Sequence, residues 1–264
     1  MDINQVYNEN CLDTMKRMEE NFVDMVVTSP PYGGLRAYNG YSFDFENISK
    51  ELFRALKPGG VVFWVVGYET IKGARSLEPL KQATYFVEEC GFTFYDHLIY
   101  EKSAFSFPDK ARYYNTWEHI FVMSKGKIKT FNPIEDRPVK YQQSRGKATQ
   151  RQKDGSLLDT GRGIIKYKKV SRRFNVWRYS TGYGNSTRDK EAYEHPAIYP
   201  EKLAQDAIRS WSNEGDLIYD PFMGSGTTAK AAITLNRNWV GSEISQEYCE
   251  IINKRINNVQ KVLL

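Results

Sequence analysis

The sequence predicts an α/β protein: a mostly parallel sheet with helices flanking it. Three observations lead there. Two short apolar runs, residues 22–27 (broken only by Asp24) and 61–66, have a strand's length and no polar alternation, the pattern of strands covered on both faces. Amphipathic helical stretches, residues 49–56, 77–89 and 201–211, alternate with such runs. A glycine-bearing segment, Phe222-Met223-Gly224-Ser225-Gly226, stands between a short strand and a helix, where sheets of this kind hold nucleotides.

In order, residues 4–8 read as a short strand and 12–18 as a short helix. Residues 23–27 form the strand that feeds Thr28-Ser29-Pro30-Pro31-Tyr32. The two prolines have no N–H to donate, which ends ladder pairing, and they fix φ twice in succession. Ser29 and Tyr32 are therefore held at a set separation at the carboxyl end of a strand. A hydrogen-bonding group at one end of a stiff loop and a π-face at the other suit a planar amine. Taken alone, the segment also fits a plain structural turn. Residues 33–47, rich in Gly, Tyr and Asn, read as a long mobile loop able to close over a substrate. Residues 49–56 are helical, with Lys57-Pro58-Gly59-Gly60 as stop signal, and 61–66 form a strand. The helix at 77–89 ends before Gly91; residues 92–100 and 119–123 are strands, the latter closed by Ser124-Lys125-Gly126. After a basic stretch come a helix at 201–211, a strand at 217–219, a helix to about 235, a strand at 239–244 and a last helix at 246–259.

With 264 residues the chain has room for one or two domains. The longest apolar run, residues 61–66, is far short of a membrane span of roughly 20 residues. The N-terminus, Met1-Asp2-Ile3-Asn4, lacks a basic stretch followed by an apolar one, so no secretory signal is expected. The scattered thiols Cys11, Cys90 and Cys249 suit a reducing cytoplasm. They and the three histidines give no metal-site spacing. Charge is uneven. Residues 125–190 hold 18 Lys/Arg against 5 Asp/Glu, an excess of +13, so the remainder must sum to −8 to give the net +5. Arg145, Lys147, Arg162, Lys168, Arg172, Arg173 and Arg178 lie there, interleaved with Tyr141, Tyr167, Phe174, Trp177 and Tyr179. A solvated linker explains the charges but not the aromatics. The mixture fits a surface that tracks phosphates and stacks on bases.

The glycines of the second loop let the backbone turn sharply and let a ligand approach without Cβ contact. Glu243, seventeen residues past Gly226 and near the end of the next strand, is placed to take both hydroxyls of a ribose. A tight strand–helix turn is the plain alternative. A dinucleotide loop is the nearest competitor, but Thr228 and Ala229 stand where its third glycine is expected.

Jointly, these motifs resemble the amino-group DNA methyltransferases that use S-adenosyl-L-methionine. Thr28-Ser29-Pro30-Pro31-Tyr32 looks like their catalytic motif, and Asp220-Pro221-Phe222-Met223-Gly224-Ser225-Gly226-Thr227 like their cofactor loop. His195-Pro196-Ala197-x-x-Pro200-x-x-Leu203 is similar to the segment contacting the methionine part of the cofactor. Trp117-Glu118-His119-Ile120 with Ser124-Lys125-Gly126 matches a further family segment. Catalytic loop first, basic region next and cofactor loop last is the permuted order of the beta group. The same order argues against the glutamine and ribosomal RNA methyltransferases. One departure is Asn10, in Glu9-Asn10-Cys11-Leu12, where the family has an adenine-binding Asp. An amide can both donate and accept there.

The resemblance covers about three quarters of the chain and implies a Rossmann-like, seven-stranded, mostly parallel sheet. It divides the chain into a catalytic half (1–126), a target-recognition insertion (127–190) and a cofactor half (191–264). Ser29, Pro30, Pro31 and Tyr32 would be catalytic; Asn10, His195, Pro196, Asp220, Phe222, Gly224, Gly226, Thr227 and Glu243 would bind cofactor. The implied partner is double-stranded DNA, with no membrane; a homodimer and a cognate restriction endonuclease are left open. The implied reaction is direct methyl transfer to the exocyclic amino group of a flipped base. Ser before Pro-Pro-Tyr favours cytosine N4, with adenine N6 as the alternative. The competing class is a DNA-binding protein on the same fold that no longer turns over.

Overall fold

The computed structural model describes residues 1–31, 43–103, 110–139, 149–159, 169–195 and 197–263. Tyr32, most of the expected 33–47 loop, Arg145, Lys147, Arg162, Lys168 and Pro196 lie outside the described residues.

The main sheet holds β1 (Gln5–Tyr7), β2 (Val23–Thr28), β3 (Leu56–Val66), β4 (Thr93–Lys102), β5 (Trp117–Ser124), β6 (Val176–Tyr179), β7 (Leu217–Asp220) and β8 (Asn238–Ser242). Their order is β1-β8-β7-β2-β3-β5-β4-β6. Every pairing is parallel except the two made by β5. The helices are α1 (Cys11–Lys16), α2 (Phe45–Ala55), α3 (Glu78–Glu88), α4 (Glu201–Trp211), α5 (Thr227–Thr234) and α6 (Gln246–Leu263). From β2 the chain moves through α2 to β3 on one side. From β7 it moves through α5 to β8 on the other. The strand order reverses between the parallel neighbours β2 and β7, and crevices form at the carboxyl ends of strands at such a point.

The α/β architecture is as expected, but among the described residues the sheet has eight strands rather than seven. The added strand, β6, comes from the stretch read as insertion. Its burial alternates: Val176 and Arg178 are exposed, Trp177 and Tyr179 buried. Trp177 stacks on Trp211 at 6.0 Å, and the Tyr179 hydroxyl donates to Asp206 at 2.9 Å. At these positions the basic–aromatic interleaving is the period of an edge strand, not a base-stacking surface. Two shorter corrections concern boundaries. Helix α2 begins at Phe45, inside the stretch read as loop, with the Asp44 carboxylate accepting from the Asn47 N–H at 3.3 Å. Strand β3 begins at Leu56, so Lys57-Pro58-Gly59-Gly60 lies inside a strand, opposite a register shift in β2.

The apolar core on the α1–α3 side joins Val26, Leu52, Trp64, Phe86 and Phe121. The indole N–H of Trp64 donates to Gln82 at 2.9 Å, satisfying its one polar atom.

The chain divides into two compact units, Met1–Asn132 with Asn175–Leu264, and Pro133–Phe174. Residues 127–132 and 175–190 thus belong to the sheet unit rather than to an insertion of 127–190. The second unit holds two antiparallel ribbons, Glu135–Pro138 with Val170–Arg172 and Thr149–Arg151 with Leu157–Asp159. Within it Arg173 pairs with Asp136, and the Arg137 guanidinium lies 4.3 Å from the centre of the Phe174 ring.

Candidate active site

Parallel pairing brings four carboxyl ends to one edge. Tyr7 is registered with Ser242, Asp220 with Gly241, and Tyr219 with Val26. The segments that follow, at Asn8–Asn10, Glu243–Ser245, Phe222–Thr227 and Ser29–Pro31, therefore emerge side by side. The catalytic and glycine loops expected from sequence meet at the reversal point.

A buried clasp holds them there. The Thr28 hydroxyl donates to one oxygen of Asp220 and the Thr228 hydroxyl to the other, each at 2.6 Å. The Phe222 N–H donates to Asp220 as well, at 3.0 Å. Asp220 is 1% exposed, and burial pushes its carboxyl up to about 6 against the pull of Thr228, Thr28 and the Phe222 N–H. Asp220, expected at the cofactor, uses both oxygens to tie the strand before Ser29 to the start of α5. Ser29, one residue beyond the clasp, is half-buried, and Pro30 is buried.

Glycines 224 and 226 take left-handed φ of 53° and 82°, conformations glycine adopts without strain. A Cβ on Gly224 would come within 3.1 Å of the His195 ring, and one on Gly226 within 3.2 Å of Ile252. The loop is seated closely against β8, since a Cβ on Gly241 would meet the Met223 side chain, with Cγ at 3.1 Å and Cβ at 3.2 Å. Glu243 accepts from the Gly224 N–H at 2.8 Å and the Ser245 N–H at 2.9 Å, one on each oxygen. Burial raises its carboxyl against those amide bonds. His195 is buried, accepts from the Ala197 N–H at 3.1 Å and meets Tyr248 edge to face at 4.4 Å. Phe222 packs edge-on against Phe43 and Trp64, and Thr227 is buried.

Asn10 caps α1, its side-chain oxygen accepting from the Leu12 N–H at 2.9 Å. Its neighbour Asn8 donates to the Glu243 carbonyl at 2.9 Å, which places this turn beside Glu243. Of the expected DNA contacts, Arg172 and Arg173 lie in the second unit. Arg178 lies on edge strand β6, bound through two guanidinium nitrogens to Glu101 at 2.9 and 2.7 Å. Sequence reasoning missed Thr28 and Thr228, ordinary small residues whose roles depend on pairing with Asp220. It missed Tyr199 too, which hydrogen-bonds Thr228.

A proline-stiffened loop and a glycine loop side by side at the carboxyl ends of parallel strands define a class, the α/β proteins that hold ligands where the strand order reverses. Residues 23–254 match the N6_N4_Mtase family, described as DNA methylase, and the chain belongs to it. The orphan methyltransferase M.BamHII of Bacillus amyloliquefaciens is 51% identical over 247 residues, spanning 91% of this chain and 92% of that protein. The Type II methyltransferase M.HpaI of Haemophilus parainfluenzae is 28% identical over 267 residues, spanning 94% and 73%. In fold the chain is similar to the PvuII DNA methyltransferase (cytosine-N4-specific), with TM-score 0.70 and 20% identity over 97% of this chain and 90% of that one. It is also similar to a Thermus thermophilus protein, TTHA0409, complexed with S-adenosyl-L-methionine, with TM-score 0.63 and 21% identity over 97% and 93%.

Proposed function

We propose that this chain moves a methyl group from S-adenosyl-L-methionine to the exocyclic amino nitrogen of a base flipped out of double-stranded DNA, with cytosine N4 as the target. The observation that carries it is the joining of Ser29-Pro30-Pro31 to the glycine loop through the Thr28–Asp220–Thr228 clasp.

The site residues suit the cofactor. Each oxygen of Glu243 is engaged by one amide and keeps a lone pair for a ribose hydroxyl. Gly224 and Gly226 leave the loop bare of side chains, while His195 and the Asn8–Asn10 turn flank it. The cofactor supplies a methyl carbon attached to a positively charged sulfur. The protein's part is to orient the amino group. Ser29 and the Pro30 carbonyl accept its hydrogens, aiming the nitrogen lone pair and stabilising the positive charge that grows on it. Tyr32 stacks on the base and offsets part of the few kcal/mol of unstacking. The Pro133–Phe174 unit, with Arg172 exposed, contributes phosphate contacts. An orphan-named relative at 51% identity favours a solitary enzyme over one paired with an endonuclease.

Incubation with cofactor and duplex DNA, followed by nucleoside digestion and mass analysis, tests this reading. N4-methylcytosine is expected. N6-methyladenine alone would move the target base and leave the site standing. Cofactor and DNA binding without any methylated base would make the chain a binding protein.

A further inference from the structure

Helix α6 carries Arg255, which is 1% exposed and reaches the back of the glycine loop. One guanidinium nitrogen donates to the Ser225 carbonyl and, at 3.1 Å, to the Ser225 hydroxyl. Nε donates to Asp189 at 3.0 Å, and the remaining nitrogen to Glu201 at 2.7 Å. Lys230 of α5 binds the same two carboxylates, each at 2.8 Å. Thr187 also donates to Glu201. Two cations and two anions thus form one cluster, in which every charge has a partner of opposite sign.

The cluster joins the segments that wall the cofactor site. Ser225 lies between Gly224 and Gly226. Asp189 precedes the short 3-10 turn Lys190–Glu194 that delivers His195, and Glu201 opens α4 just after the His195–Pro200 stretch. The peptide between Ser225 and Gly226 is held at both ends: its carbonyl by Arg255, its N–H by the Met223 carbonyl at 2.8 Å. A peptide flanked by left-handed glycines turns over easily when nothing grips it. A guanidinium with fixed, forked donors is the side chain suited to grip a carbonyl and two carboxylates together.

We infer that Arg255 is a positioning residue for the cofactor. It locks the Ser225–Gly226 peptide and sets the spacing between the glycine loop and the His195 segment, without touching the ligand. The inference rests on the proposed cofactor site and adds a residue from α6.

The test compares Arg255→Lys and Arg255→Gln with wild type by calorimetry with S-adenosyl-L-methionine, circular dichroism, cofactor-free DNA binding, and steady-state kinetics. Both variants leave the cluster short of donors, so the folded fraction is measured at the assay temperature. Expected for Arg255→Gln is a cofactor dissociation constant raised at least tenfold. Arg255→Lys, which keeps a charged donor, should recover part of that loss. DNA affinity and kcat at saturating cofactor should stay within about threefold of wild type. Folded variants that bind cofactor like wild type overturn the inference. So does a loss of cofactor binding that merely follows loss of fold in both variants, which makes Arg255 structural only. If wild type itself binds no cofactor, the cofactor-site reading fails instead.

Discussion

Ser29 follows directly on Thr28, whose hydroxyl is committed to Asp220, so the backbone that presents Ser29 is anchored one residue before the position proposed to accept from the amino group. Preorganisation of this kind matters most in the transition state, when charge appears on the amino nitrogen. Ser29→Ala should therefore lower kcat about a hundredfold, the scale of losing one such group, with cofactor affinity unchanged. Wild-type turnover in that variant would remove Ser29 from the chemistry. Glu243 sits differently: each oxygen accepts from one amide in a buried setting, so a ribose hydroxyl bound in the proposed way would meet a charged acceptor in low dielectric. Hydrogen bonds to a charged acceptor are worth about 1.5–3 kcal/mol each. Glu243→Ala should accordingly weaken S-adenosyl-L-methionine binding by one to two orders of magnitude in a calorimetric titration. An unaltered dissociation constant would put the pocket elsewhere than at the end of β8.

At the scale of elements, the clasp between β2 and β7 makes its own prediction, in pH. Asp220 titrates near 6 in the folded chain and near 3.9 when unfolded. The folded state thus binds the extra proton, and stability falls as pH rises from about 4 to about 6, by on the order of 3 kcal/mol. His119 acts in the opposite sense. Burial first, then the neighbouring His97, hold its imidazole near 4, so its contribution is present above pH 6.5 and lost as pH falls towards 4. Asp220→Asn removes the Asp220 contribution and leaves the other titrating groups in place, so the melting temperature should climb more steeply between pH 4 and 6 than in wild type. Parallel profiles would mean that Asp220 stays ionised in the fold. The elements themselves were largely legible, because apolar runs, helical periodicity and glycine turns are local signals. The ties between them were not. Thr28 and Asp220 are 192 positions apart, and β6 is four residues whose partner strand, β4, lies far upstream. Arg255 carries no local signal of its role, since the Ser225 carbonyl it holds belongs to a residue 30 positions upstream.

For the whole molecule, the basic excess is divided between two units rather than confined to one. Arg178 belongs to the sheet unit and is neutralised by Glu101, whereas Arg172 and Arg173 close the second unit's Glu135–Pro138 ribbon. The latter two differ in kind. Arg173 binds Asp136 through two guanidinium nitrogens, and two-stranded ribbons are marginal by themselves, so its first role is to hold the unit together. Arg172 is exposed, with no such tie among the described contacts. If it neutralises a phosphate, Arg172→Gln should reduce the slope of log K against log salt by about 0.9, the counterions released per contact on duplex DNA. Arg173→Gln should instead open residues 133–174 to limited proteolysis and weaken DNA binding at every salt concentration. Filter-binding titrations from low to moderate salt separate the two. An unchanged slope for Arg172→Gln would make that side chain a solvated charge and move the phosphate contacts to other basic residues of the chain.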